Sequence, residues 1–202
     1  KALLLTAPGQ LRFVDVPGGT SSAQGIAKLR EVEALAIVVR CFGPDLAPAA
    51  ELAGVRADLL LADLAVVESA LQKAEKKARG KPGPEVAALV AAKAALDAET
   101  PLREAGLEPE RVAELRGIAP LTLKPEVVIA NLEEGTNVPV ELPGAAGVYA
   151  AIEAEVAEMD LEEARALLEE FGVKEPGLQT VIEACYRAID LITFLTTGDD
   201  ET

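Results

Sequence analysis

The 202-residue chain has no histidine and no tryptophan, and aromatic residues make up only 3% of it. Without imidazole there is no histidine general base and no His-ligated zinc. With so few rings there is no extended platform on which nucleobases could stack. Cysteine is nearly absent too, with only Cys41 and Cys185. Two thiols so far apart do not make a disulfide framework, and such usage fits a reducing compartment. Their plainest reading is as two buried small hydrophobic residues. Positive charge is also scarce: 19 Lys and Arg against 34 Asp and Glu give a net charge of −15. The surface as a whole therefore repels polyanions, and any contact with nucleic acid must be a local basic patch. No apolar run approaches the roughly 18 residues of a membrane span, so no membrane partner is expected. Lys1–Thr6 is too short for a signal-peptide core, and a cytoplasmic protein is expected.

What the chain has is apolar material. Half of its residues are hydrophobic, enough for one sizeable domain or for a domain carrying an inserted module. Short apolar runs of strand type cover Ala2–Thr6, Leu11–Val16 and Ala34–Phe42, and later Glu126–Asn131 and Gly147–Ala150. Strands apolar on both faces suit a parallel sheet covered by helices. Helical patterns lie between and after them, and this alternation predicts the α/β class.

Between about Arg56 and Ala95 the period changes. Leu60, Leu64, Val67, Leu71, Ala74 and Ala78 fall at alternating spacings of four and three, the seam of a packed helix pair. Gly80-Lys-Pro-Gly-Pro84 breaks the pattern and starts a returning arm with Val86, Leu89, Val90 and Leu96, which also carries Lys93 near the seam. A helical hairpin follows. Beside its turn sits a dense basic run, Lys73, Lys76, Lys77, Arg79 and Lys81. It reads either as a solvated helix end with well-placed cations or as a contact for an anionic partner. Further on, Asp160 and Glu163 form a capping-box pattern ahead of an amphipathic stretch that runs to Gly172. Lys174–Gly177 reads as a turn, and a second helix turns Val181, Ile182, Cys185, Tyr186 and Ile189 inward. Leu191–Gly198 is extended in character and precedes an acidic tail.

Two short patterns could carry chemistry. In Phe13-Val-Asp-Val-Pro-Gly18, an acid at a strand end precedes a glycine by three positions, as in the D-x-x-G switch of nucleoside-triphosphate proteins. A carboxylate such as Asp15 can hold Mg²⁺ through water, and the Gly18 amide can reach a γ-phosphate with no Cβ in the way. Taken alone, Asp before Pro-Gly is equally a turn. Directly after the strand ending at Ala130 comes Asn131-Leu-Glu-Glu134, where a nucleotide-binding α/β protein reads the base. The guanine-reading pattern there is N-K-x-D. Leu132 in place of Lys and Glu134 in place of Asp predict weaker guanine preference.

Taken together, these segments resemble the YchF, or Obg-like, ATPases. The resemblance covers most of the chain through Phe13–Gly18, Leu29–Phe42, Leu60–Glu68, Leu121-Thr-Leu-Lys-Pro125 with Asn131-x-x-Glu134, Ile152–Glu158, and Gly177-Leu through Leu191–Phe194. It implies a Ras-like P-loop NTPase fold with a mostly parallel sheet and an inserted antiparallel coiled-coil arm. The nucleotide-binding domain would be residues 1–52 and 119–202, and the arm residues 53–118. It further implies hydrolysis of ATP in preference to GTP with Mg²⁺, and association with the ribosome or ribosomal RNA, for which Lys73–Lys81 would be one contact. Carried over by position, Asn131 and Glu134 would contact adenine and Leu132 would lie along it. Asp15 and Gly18 would form the Mg²⁺ and γ-phosphate switch. Ala150 is what the chain keeps of a Ser-Ala-Lys segment that supports the base. Gly19 stands where the family has a hydrophobic residue, and no catalytic residue is assigned.

The pattern G-x-x-x-x-G-K-[ST] does not occur in the 202 residues, and without such a loop tight triphosphate binding should fail. Lys1–Thr6 reads as the strand that would lead into it. Gly18–Lys28 and Cys41–Asp58 are shorter than in the family, and the small ubiquitin-like domain expected after Phe194 is missing. Each gap falls at a mobile loop or a domain end, so omitted segments are expected, with a degenerate or truncated member as the alternative. The reading from a different class is a non-catalytic ribosome- or protein-binding adaptor that keeps the fold and has lost phosphate binding.

Overall fold

The computed structural model describes residues 2–7, 10–16, 19–173 and 177–189. Gly18, most of the Lys174–Gly177 turn, the extended run at Leu191–Gly198 and the acidic tail lie outside the described residues.

Five strands form one sheet: β1 (Ala2–Ala7), β2 (Gln10–Val14), β3 (Ala34–Cys41), β4 (Glu126–Leu132) and β5 (Ala146–Val148), in the order β2-β1-β3-β4-β5. β3, β4 and β5 are parallel, with Leu35 opposite Glu126 and Ile129 opposite Ala146. β1 is antiparallel to both of its neighbours, so the sheet is mixed and its parallel part is confined to β3–β5. The cause is chain length. Only residues 8 and 9 separate β1 from β2, and so short a link permits an antiparallel hairpin and no crossover. This corrects the reading of Lys1–Thr6. A strand feeding a phosphate loop must end at the edge where β3 and β4 end, whereas β1 ends at the opposite one. β2, antiparallel to β1, runs in the same sense as β3–β5.

β3 alternates faces. Leu35, Ile37, Val39 and Cys41 join Ala130 and Leu132 of β4 in a core closed by helix α1 (Ala23–Arg30), through Leu29, and by the start of helix α2 (Pro48–Ala78), through Leu52 and Leu59. On the other face, Ala34 and Ala36 meet Val127 and Ile129 under helix α7 (Gly177–Ala188), where Cys185 is buried. A sheet apolar on both faces needs both layers.

α2 starts at Pro48, well before the seam period suggests, with proline at the first helical turn where its missing N–H costs nothing. Its first turns present a different stripe, toward the sheet. The helix, 31 residues in all, then continues unbroken into a second core, where Val67 and Ala74 pack on Val86, Leu89, Ala92 and Leu96 of helix α3 (Pro84–Asp97). Helix α4 (Pro109–Leu115) closes that core through Leu115. Lys93 stays near the seam because it pairs with Glu68 at 3.1 Å and Asp97 at 2.8 Å. Helices α5 (Ala150–Val156) and α6 (Leu161–Glu170) follow β5. Asp160 caps α6 by accepting from the Glu162 and Glu163 amides, and Gly172 takes a positive φ of 75° just past its end.

Candidate functional site

The carboxyl ends of β2, β4 and β5 bring Asp15, Asn131 and Ala150 to one edge of the sheet. Asn131 is half-buried near the end of β4, and its Oδ1 accepts the Ala150 amide hydrogen at 3.3 Å, tying the β4 end to the start of α5. Glu134 is half-buried in the turn that follows, with no hydrogen-bond or ion-pair partner among the described residues. Leu132 departs from the expectation that it lies along a base. Strand alternation turns it to the opposite face from Asn131, where it is 4% exposed in the core and its Cδ1 lies 3.0 Å from where a Cβ on Gly147 would be.

The loops around Asn131 are cross-tied. The Tyr149 hydroxyl donates to the Thr136 carbonyl at 2.7 Å, joining the turn after β4 to the turn after β5. Glu153 accepts from the Tyr149 amide at 3.1 Å with Oε1 and from the Gly177 amide at 2.7 Å with Oε2. One carboxylate thus spans from α5 to the first residue of α7. A groove of about 560 Å³ opens beside these groups, with Asn131 and Glu153 among apolar Phe13, Val38, Val148 and Leu178.

Asp15 is exposed, while the adjacent Val16 is buried in the core and fixes the strand end. The chain then turns through Gly19–Ser21 into α1, which Ser22 caps by accepting from Gly25 N at 3.0 Å. Gly25 is required there, since a Cβ would lie 2.1 Å from the Gly19 carbonyl oxygen. Thr20 donates to Asp58 of α2 at 2.6 Å. Asp15 and Asn131 are three strand spacings apart, about 14 Å, so they do not share one cluster. Among the described residues no group of three or more His, Cys, Asp or Glu could hold a metal ion. Asp15 is a single exposed carboxylate at the end of β2, so a Mg²⁺ there would need its other ligands from phosphate oxygens and water.

Lys73, Lys76, Lys77, Arg79 and Lys81 are all exposed around the end of α2, where Arg79 takes a left-handed φ of 47°. None has an ion pair among the described residues. Lys73 and Lys77 border a groove of about 540 Å³ that also touches Glu85 and Ile118.

Sequence reasoning passed over a buried network. Asp63 is 1% exposed and accepts from Arg30 Nη1 at 2.8 Å, from the Leu121 and Thr122 amides at 2.9 and 2.7 Å, and from the Thr122 hydroxyl at 2.8 Å. Arg30 also donates to the Ala62 and Ala119 carbonyls, and Lys124 to the carbonyls of Arg30 and Val32. The sign was legible: Asp63 sits three residues after Leu60 and four before Val67, an acid at seam spacing. Nor did the sequence mark Glu153. Neither thiol is activated. Burial raises the pKa of Cys185 to about 11, and burial followed by Glu51 raises that of Cys41.

No family model matches the chain. It is 35% identical over 227 residues to the ribosome-binding ATPase YchF of Escherichia coli O157:H7, covering 97% of this chain and 62% of that protein. To the ribosome-binding ATPase YchF of Bacillus subtilis (strain 168) it is 30% identical over 230 residues, covering 97% of this chain and 63% of that protein. The chain thus spans less than two thirds of the curated relatives it matches. It also shares the fold of the Schizosaccharomyces pombe YchF GTPase, with a TM-score of 0.75 at 20% identity over 93% of this chain and 58% of that one. These similarities support the YchF/Obg-like family of P-loop NTPases. Among the described residues, no helix is long and apolar enough to cross a membrane.

Proposed function

We propose that the chain is the nucleotide-binding part of a YchF-type, Mg²⁺-dependent NTPase that takes ATP in preference to GTP and works on the ribosome. The observation that carries this reading is Asn131. It stands near the carboxyl end of a parallel strand, with its Oδ1 bonded to the Ala150 amide, in a chain 35% identical to a ribosome-binding ATPase. Asn131 and Glu134 would contact the base, with Ala150 supporting the loop. Glu134, partnerless among the described residues, offers a carboxylate for an exocyclic amine. Asp15, with Gly18, would face the γ-phosphate and hold Mg²⁺ through water. When bound, that ion would neutralise charge on the phosphates. The Leu132 side chain is buried on the other face of β4, so a contact from this residue to the base would come from its backbone. Lys73, Lys76, Lys77, Arg79 and Lys81 would meet ribosomal RNA from the end of the helical arm, where five cations without ion pairs among the described residues stand out from an acidic chain.

A fluorescent ATP analogue titrated with and without Mg²⁺ tests the site. Asn131→Ala should weaken binding at least tenfold, and Glu134→Ala should narrow the preference for ATP over GTP. Equal binding of both nucleotides, unaltered by Glu134→Ala, would remove the base site. Triple neutralisation of Lys76, Lys77 and Arg79 should reduce ribosome cosedimentation and flatten its salt dependence. Unchanged cosedimentation at low salt would remove the arm contact. The adaptor reading rests on the lack of a G-x-x-x-x-G-K-[ST] pattern in the 202 residues. It predicts ribosome binding with no nucleotide binding.

A further inference from the structure

We infer that Glu153 is a positioning residue for the nucleotide base. The inference rests on the nucleotide reading above and extends it to a side chain that touches no ligand. Asn131 can address a base only if its own amide is held in one orientation, and its Oδ1 is held by the Ala150 N–H at 3.3 Å. That bond is long, so its geometry depends on how the Tyr149–Ala150 peptide is presented. The preceding amide, Tyr149 N, is fixed by Glu153 Oε1 at 3.1 Å. The other oxygen of the same carboxylate takes Gly177 N at 2.7 Å, anchoring it to the start of α7, a separate element. A carboxylate facing the first amide of a helix is also favoured by the helix dipole. Glu153 is therefore a two-ended strut. One end sets the turn whose next amide orients Asn131, and the other is braced against a helix that packs on the sheet through buried Cys185.

The fit around the strut is close. A Cβ on Gly177 would come 2.5 Å from Glu153 Oε1, 3.0 Å from Oε2 and 2.8 Å from Val148 Cγ1. Glycine at 177 is thus what lets the carboxylate seat between the two amides. The Tyr149 hydroxyl bond to the Thr136 carbonyl holds the far side of the same turn, leaving the peptide few ways to rotate.

The test separates base recognition from phosphate binding in the full chain. ATP and inorganic triphosphate are titrated, each with Mg²⁺, into wild type, Asn131→Ala, Glu153→Gln and Glu153→Asp, with thermal melts confirming folding. Glu153→Gln keeps the shape but turns an N–H₂ toward one of the two amides. It should weaken ATP five- to twentyfold and leave triphosphate within twofold. Glu153→Asp, too short to reach both amides, should do the same. Gly177→Ala disturbs the strut from its other end and should reproduce the ATP-specific loss. If Asn131→Ala weakens ATP while Glu153→Gln and Gly177→Ala, both folded, do not, the inference is overturned and the base site stands. Equal loss of ATP and triphosphate in Glu153→Gln would mean general disruption and also overturns it. Wild type that binds no ATP, or Asn131→Ala without effect, overturns the nucleotide reading and this inference with it.

Discussion

Replacing Asp63 with alanine is the severest single test of how this fold is held together. Its carboxylate accepts four hydrogen bonds, from Arg30, from the Leu121 and Thr122 amides and from the Thr122 hydroxyl, and is 1% exposed. Alanine would leave the Arg30 guanidinium, whose side chain is 16% exposed, without its counter-charge, and two backbone amides without acceptors. Removing one partner of a buried ion pair costs about 3–5 kcal/mol, because the other charge stays buried. Each orphaned amide adds about 1–3 kcal/mol wherever water cannot reach it. We expect a loss of at least about 4 kcal/mol, a large share of the roughly 5–15 kcal/mol that holds a domain folded. In urea, with a slope of about 2 kcal/mol per molar, the midpoint should fall by about 2 M or more. Arg30→Met leaves Asp63 three donors and should cost less. Thr122→Val removes only the hydroxyl and should cost about 1–2 kcal/mol. A loss below about 1 kcal/mol for Asp63→Ala, or equal losses for Asp63→Ala and Thr122→Val, would refute the reasoning.

Cys185 titrates near pH 9.0 unfolded and at about 11 folded because burial disfavours the thiolate. Its contribution to stability is therefore intact below pH 9 and is lost as pH rises through 11. Wild type should lose about 1–3 kcal/mol relative to Cys185→Ala between pH 8.5 and 11.5, measured by urea unfolding. Lys124, whose pKa is lowered by burial and by Arg30, trends the other way in both proteins and cancels in the comparison. At pH 8 iodoacetamide should label Cys185 far more slowly in folded than in urea-unfolded protein. Gly25→Ala must displace the Gly19 carbonyl, 2.1 Å from the new Cβ, and should cost about 1–3 kcal/mol or more. Gly54→Ala, on an open face of α2 with nothing within 4 Å, should instead gain about 0.5–1 kcal/mol, so the pair shows whether close approach, and not glycine as such, decides.

Local pattern alone located β3, β4, α6 and α7 to within a few residues, because their apolar periods and caps are written in neighbouring side chains. The Asp160 cap and the left-handed Gly172 show this most directly. It also put Asn131 just beyond a strand core and the cations beside a helix break. Only the tertiary structure decided the rest. The sense of β1 follows from its hairpin with β2 across residues 8 and 9, a constraint set by the length of the link, whereas its place beside β3 is a pairing that no period encodes. The start of α2 escaped because its first turns face the sheet and its later turns face α3, so a single stripe describes only part of it. The Leu132 side chain faces the core because strand alternation, and not its neighbour in the motif, sets its face. Asp63 and Thr122 lie 59 residues apart, and Glu153 and Gly177 lie 24 apart. A buried carboxylate is tolerated only where donors converge on it, and that convergence exists nowhere but in the folded chain.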